Sequence, residues 1–434
     1  MSAIYPGIAA PTILKNGRII DPANGIDRKA DLLIKDGRIA SLENVSKKKR
    51  SGWKEIDVKG CWVVPGLIDM HVHLREPGEE YKETVESGAR AAAAGGFTAV
   101  ACMPNTRPVN DNAAVTAFIL KQAAKACVRI YPVGALSKAS EGSTIAEYGE
   151  MKEAGVVALS DDGRPVVNSQ LMRRALEYAS NYRLPVLCHS EELALSSTGS
   201  MNEGALSTRL GLRGIPRVAE EIMVYRDVTL AGYLGLPVHI AHVSTEESVD
   251  LIRRAKAKGL RVTAETAPHY FSLTEMAVEA YNTHAKMNPP LRTERDLTAI
   301  KQGLADGTLD AIATDHAPHS ILEKDVEFDL AANGIIGLET AVPLTLALVR
   351  AKVIDEEKMI RLLSVNPGGI LGVAGGSLTV DHAADVTVID PARQFVYSED
   401  MVVSKSRNSP FIGASLTGRA VLTMVGGCVA YNIL

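Results

Sequence analysis

Between Pro65 and Gly372 short apolar runs alternate with longer stretches whose apolar residues recur every three or four positions, the spacing of a helix with one buried face. The short runs cover residues 67–71, 99–102, 130–133, 156–159, 186–188, 238–241, 262–264 and 311–313. Short, continuously apolar segments of this kind predict strands buried on both faces, as in a parallel sheet. Amphipathic stretches at 113–126, 170–181 and 246–258 fall between them, the last with Val249, Ile252 and Ala255 on one side. Eight strand–helix units predict an α/β fold closed into a (β/α)8 TIM barrel. An open doubly wound sheet is disfavoured, because no Gly-x-Gly-x-x-Gly opens a helix after the first strand.

The two ends have a different texture. Alternating runs at 12–14, 30–34 and 56–58 are punctuated by Asn16-Gly17 and Asp36-Gly37, and runs at 386–389 and 420–425 precede Gly426-Gly427. Because chain termini usually lie close together, both ends are expected to build one small β domain with a shared sheet. The predicted organisation is a composite β-sandwich from residues 1–64 and 373–434, with the barrel, residues 65–372, inserted between them.

Composition narrows the class of function. The chain is 46% hydrophobic and 23% charged with a net charge of −4, which describes an ordinary globular protein and excludes a disordered one. Nucleic acid is not an expected partner, because the densest basic run, 47–50, is only four residues long and reads as a solvated loop. Cys61, Cys102, Cys127, Cys188 and Cys428 are odd in number and show no Cys-x-x-Cys spacing, which argues against a disulfide framework and a thiolate zinc site. Neither a leader pattern at the N-terminus nor a long apolar span is evident, and the longest small-apolar run, 89–102, is broken by Gly95 and Gly96. A cytoplasmic protein without membrane attachment is expected.

The chemistry lies at the ends of the strands. In a barrel, residues just after the strand cores meet at the C-terminal mouth. The first strand ends in DMHVHLRE, where His71 and His73 are two apart and share one face of an extended chain. The fifth ends in His189, the sixth in His242, the eighth in Asp315, and the fourth in Asp161 and Asp162. Four imidazoles with carboxylates in one mouth suit one or two divalent ions such as zinc. Asp69 and His239 are assigned to support or packing, His269, His284 and His382 to structure, and Cys102 and Cys188 to the core. A divalent ion lowers the pKa of a bound water from about 15.7 to near 7 and polarises a carbonyl, which is amide chemistry. Asp315 is the best-placed carboxylate to take the water's proton and hand it to the departing nitrogen.

The run PGLIDMHVHLREPG, followed in order by CMPNTRP, SDDG, CHSE, AHVST, ETAPHY, KMNPPLR, ATDHAPH and NGIIGLET, resembles the bacterial dihydroorotases of the amidohydrolase superfamily over essentially the whole chain. The resemblance implies reversible cyclisation of N-carbamoyl-L-aspartate to dihydroorotate in pyrimidine synthesis. It makes His71, His73 and Asp315 ligands of one metal, His189 and His242 ligands of a second, and Asp162 the bridge. It also implies that Arg75, Asn105 and Asn288 bind the substrate carboxylate, that His319 contacts substrate, and that the Asn333-Gly334 backbone faces the ring. One departure concerns the fourth strand, where many superfamily members place a carbamylated lysine; AGVVALSDDGRP has none, and Lys152 lies too early. Asp161 stays an alternative to Asp162, and the number of metals stays open. The rival readings are a hydantoinase or dihydropyrimidinase, and a non-catalytic subunit of an aspartate transcarbamoylase complex. Expected partners are the small-molecule substrate, a second copy of the chain as a homodimer, and an aspartate transcarbamoylase.

Overall fold

The computed structural model describes residues 10–43, 52–196 and 198–434; the basic run 47–50 lies outside them. Eight parallel strands form the centre: Leu67–Val72, Phe97–Cys102, Arg129–Gly134, Ala158–Leu159, Leu187–Cys188, Val238–Ile240, Val262–Thr266 and Ala311–Ile312. The first four pair in one sheet and the last four in another. Parallel bridges from Leu159 to Val186 and from Val72 to His316 join the two sheets at both seams and close the ring. The chain therefore folds as a (β/α)8 barrel with a β domain beside it. Strands four and five are shorter than their apolar runs, since only two residues of each are in strand.

Helices surround the ring, among them Val85–Gly95, Ala113–Ala123, Ser169–Asn181, Val218–Leu234, Glu246–Ala257, Glu294–Asp306 and Ala341–Arg350. Side-chain oxygens of Thr84, Asn112, Asn168, Thr245 and Thr293 accept from first-turn amides that have no partner within the helix. Val249, Ile252 and Ala255 are buried, as their spacing predicts. No helix among the described residues is long and apolar enough to cross a membrane.

The chain ends share a six-stranded sheet ordered Cys428–Asn432, Ser415–Val425, Val386–Val396, Trp62–Pro65, Arg18–Asp21, Ile26–Lys29. The runs expected at 12–14, 30–34 and 56–58 do not join it. They lie in a separate four-stranded sheet ordered Arg38–Ser41, Leu32–Lys35, Thr12–Lys15, Lys54–Asp57. The reason is burial: each sheet has one apolar face, and Leu14, Leu32 and Ile34 of the smaller one pack with Val63, Val388 and Val421 of the larger. Trp62–Pro65 passes straight into the first barrel strand through Gly66, where a Cβ would lie 2.1 Å from the Thr98 hydroxyl oxygen. The larger sheet is fastened to the barrel by Thr387 and Thr423, whose hydroxyls donate to Gly96 O and Ala93 O around the end of helix Val85–Gly95.

Candidate metal centre and active site

His71, His73, Asp162, His189, His242 and Asp315 arrive from strands one, four, five, six and eight and are all buried. Asp162 lies among the imidazoles: its carboxylate is 3.3 Å from His71 Nε2, 3.5 Å from His73 Nε2, and 3.4 Å from both His189 Nδ1 and His242 Nε2. Asp315 Oδ1 is 3.0 Å from His73 Nε2 and 3.5 Å from His71 Nε2. Two groups of ligand atoms, His71 with Asp162 and His242, and His71 with His73 and Asp315, each lie within 4.8 Å of one another. His71 Nε2 is buried and makes no hydrogen bond, although it faces two carboxylates. A ring nitrogen so placed, amid oxygen and nitrogen ligands, fits a divalent cation.

The two aspartates left open by the sequence part company here. Asp161 accepts from the backbone amides of Leu136 and Ser137 and from the Ser137 hydroxyl, so it fixes the loop after strand three, and among the described residues it forms no ion pair with the imidazoles. Burial disfavours charge on His71 and His189, yet the carboxylates outweigh it: His71 is raised well above its usual value by Asp162, and His189 is raised to about 10 by Asp162 and Glu191. The carboxyl of Asp315 is held low by His71 and His73 against that same burial. Arg75, His242 and Asp315 adopt left-handed backbone with φ of 62°, 35° and 50°. Each such residue costs about 1–2 kcal/mol, strain of the kind that gathers where side chains must converge.

Two acids that sequence reasoning passed over orient these imidazoles. Glu265, at the end of strand seven, accepts from His71 Nδ1 at 2.8 Å and lies 3.4 Å from His239 Nε2. Glu191 is 3.0 Å from His189 Nε2 and accepts from Asn288 Nδ2 at 3.0 Å. Against burial, His239 and His71 hold Glu265 down to about 2, and His189 does the same for Glu191. The signal was present: Glu265 ends its strand, and Glu191 follows His189 by two. Asp69 accepts from Thr314 and from the His71 amide, tying strand one to strand eight. Burial pushes the Cys102 thiol up to about 12 and Cys188 well above its usual value, which leaves neither a thiolate at neutral pH.

Arg75 is buried at the mouth, and its Nε donates to Pro318 O at 3.1 Å. Its Nη2 lies 3.2 Å from His319 Nε2, which is itself 2.8 Å from Asn333 O. Burial and the Arg75 charge keep His319 far below its usual pKa, so the ring is neutral. A neutral ring whose Nε2–H donates to Asn333 O cannot also accept from Arg75. Among the described residues no carboxylate lies within ion-pair distance of Arg75; burial disfavours its charge, and Glu79, Asp315, Glu323 and Asp162 favour it from farther off. Asn105 Oδ1 is 2.8 Å from His73 Nδ1, so this asparagine orients a candidate ligand while its amide nitrogen lies near Gly163. Gly334, with φ of 124°, packs where a Cβ would meet Ala317 Cβ at 2.5 Å, which lets its backbone approach the site.

A family model described as dihydro-orotase-like matches residues 60–248. A dihydroorotase of Desulfotalea psychrophila is 59% identical over 419 residues, 96% of this chain and 99% of its own length. One from Geotalea daltonii is 57% identical over 420 residues with the same coverage. The chain belongs to the dihydroorotase family. Among solved structures, L-hydantoinase from Arthrobacter aurescens superposes with a TM-score of 0.87 at 24% identity, covering 98% of this chain and 96% of that one. Dihydropyrimidinase from Brevibacillus agri gives 0.84 at 21% identity, covering 97% and 95%. At such identities the likeness speaks for the fold alone.

Proposed function

We propose that the protein is a dihydroorotase that interconverts N-carbamoyl-L-aspartate and dihydroorotate plus water, in pyrimidine synthesis. The observation that carries the substrate assignment is Arg75, a buried guanidinium with no carboxylate partner in a mouth otherwise made of imidazoles and acids. Burial disfavours that charge and the acids around it do so little to offset this that the guanidinium is held below its usual value, whereas a substrate carboxylate would meet it with two parallel hydrogen bonds. Hydantoin and dihydrouracil have no carboxylate to offer it. Asn288, His319 and the Asn333-Gly334 backbone complete the substrate face in this reading.

His71, His73 and Asp315 would hold one zinc ion and His189 and His242 a second, with Asp162 between them. A zinc ion held there supplies a water of lowered pKa and polarises the amide carbonyl. Glu265 and Glu191 each accept from one imidazole nitrogen and leave the other facing the cluster. Arg75 and the loop backbone fix the ring against Asp315. During hydrolysis Asp315 takes the proton of the attacking water and delivers it to the ring nitrogen as the amide bond breaks; ring closure runs the same transfer backwards.

The same reading takes residues 65–372 as the catalytic barrel and 1–64 with 373–434 as the composite β domain. It places the protein in the cytoplasm, consistent with the reduced Cys61, Cys102, Cys127 and Cys188. A second copy of the chain and an aspartate transcarbamoylase are its protein partners, which size-exclusion chromatography with and without the transcarbamoylase tests. The deciding assay compares turnover of dihydroorotate with that of hydantoin and dihydrouracil on zinc-loaded enzyme. Selective turnover of dihydroorotate is expected. Preference for an uncharged ring would replace this assignment with the hydantoinase reading.

A further inference from the structure

Two buried lysines outside the imidazole cluster take no part in the chemistry above. Lys324 is 1% exposed and Lys286 5%, and lysines are almost never so buried unless their charge is matched. Neither ammonium donates to a carboxylate. Lys324 Nζ donates to Thr283 O at 3.0 Å, Lys286 O at 3.2 Å and Ala332 O at 2.6 Å, so one nitrogen gathers three carbonyls. Lys286 Nζ donates to Phe328 O at 2.8 Å and Asp329 O at 2.9 Å.

The exchange is reciprocal. Lys324 belongs to the segment that follows strand eight and binds carbonyls in the segment that follows strand seven, while Lys286 does the reverse. The join is closed by Gly334 N, which donates to Lys286 O at 2.9 Å, and by the Thr283 hydroxyl, which donates to Lys324 O at 2.6 Å. Asn288 lies two residues beyond Lys286, and Asn333 follows Ala332 directly and bonds His319 through its carbonyl. The substrate face is thus assembled from two loops that the lysines hold together. Without Lys324 the three carbonyls would lose a shared donor in a buried setting, and the loops could re-satisfy them only by moving apart or admitting water.

We propose that Lys324 is a positioning residue: by binding carbonyls of both loops it sets the separation of Asn288 from His319 and the Asn333-Gly334 backbone, and so governs substrate binding. The identity of that substrate rests on the dihydroorotase reading. A displacement of about 1 Å at a substrate contact can cost up to about 10²-fold in efficiency.

The test uses full-length, zinc-loaded wild type with Lys324→Met, which keeps most of the length and removes the donors, and Lys324→Gln, which restores two of them. Lys324→Met is expected to keep its metal content, to raise KM for dihydroorotate about tenfold or more with a smaller change in kcat, and to speed amide exchange in 282–288 and 320–336. Lys324→Gln should recover part of both effects, and it decides the matter alone if the Met variant does not fold. Wild-type KM and wild-type exchange in both variants would overturn the proposal, as would loss of kcat at unchanged KM. Amide exchange needs no substrate, so an enzyme inactive on dihydroorotate would sink the functional reading while the clamp was still judged by exchange.

Discussion

Replacing Glu265 by Gln alters one atom in a residue that is 1% exposed, and it reaches the metal centre only through His71. The Glu265 carboxylate, held ionised by its two imidazole neighbours, accepts from His71 Nδ1 at 2.8 Å and so leaves Nε2 as the nitrogen that faces Asp162 and Asp315 and that a cation would take. Glutamine keeps an acceptor but loses the charge, and its amide nitrogen can instead donate to Nδ1, placing the ring proton on Nε2 where no cation could bind. A hydrogen bond to a charged group contributes about 1.5–3 kcal/mol against about 0.5–1.5 for a neutral one. The difference, about 1–2 kcal/mol or about 5–30-fold, overlaps the lower part of the 10–100-fold loss of metal affinity usual when the partner of a liganding imidazole is changed. The assay strips the protein with a chelator, titrates zinc back against a competing fluorescent chelator at fixed pH, and follows dihydroorotate hydrolysis across the titration. The variant should need about 10–100 times more free zinc for half-maximal activity, with an unchanged circular dichroism spectrum. A zinc affinity within twofold of wild type, in a folded variant, would refute the view that Glu265 orients His71.

Arg75→Lys should keep its metal but lose at least about tenfold in kcat/KM for dihydroorotate, because a point charge cannot replace a planar donor fork; equal efficiency would remove the carboxylate argument. Asp315→Asn, compared at full metal occupancy, should lose about 10²–10⁴ in rate as the proton carrier is lost, and near-normal turnover would move that role elsewhere. Glu339 makes a pH prediction: burial pushes its carboxyl up to about 7, although the amides of Ser404 and Val403 oppose the rise. A folded pKa above the unfolded one favours the folded state fully below about 4.5, and that stability is lost as pH rises through 7. Glu339→Gln should therefore gain thermal stability relative to wild type at pH 8 and little at pH 5, and melting curves showing an equal shift at both would contradict the assignment.

The eight strands, their helices and the six clustered side chains are legible in the chain because each depends on local pattern. Apolar runs of strand length separated by amphipathic stretches leave few solutions but a barrel, and barrel geometry carries whatever follows each strand to one mouth. His71 and His73 could be paired from their spacing alone, and the family resemblance rests on motifs within single loops. Assigning the end runs to particular sheets required knowing which faces meet, since the smaller sheet exists to bury Leu14, Leu32 and Ile34 against the larger. Spacing also could not separate Asp161 from Asp162, adjacent residues whose side chains part only when the Leu136 and Ser137 amides capture the first. The supporting groups were hidden for the same reason: Glu265 meets His71 across 194 positions, and the Asn408 side chain, which accepts from His319 N and donates to Gly334 O, comes from a segment 89 residues beyond His319. Sequence records which groups the barrel delivers to its mouth. Only the packed structure decides their hydrogen-bond partners, because those are made between segments that no local periodicity connects.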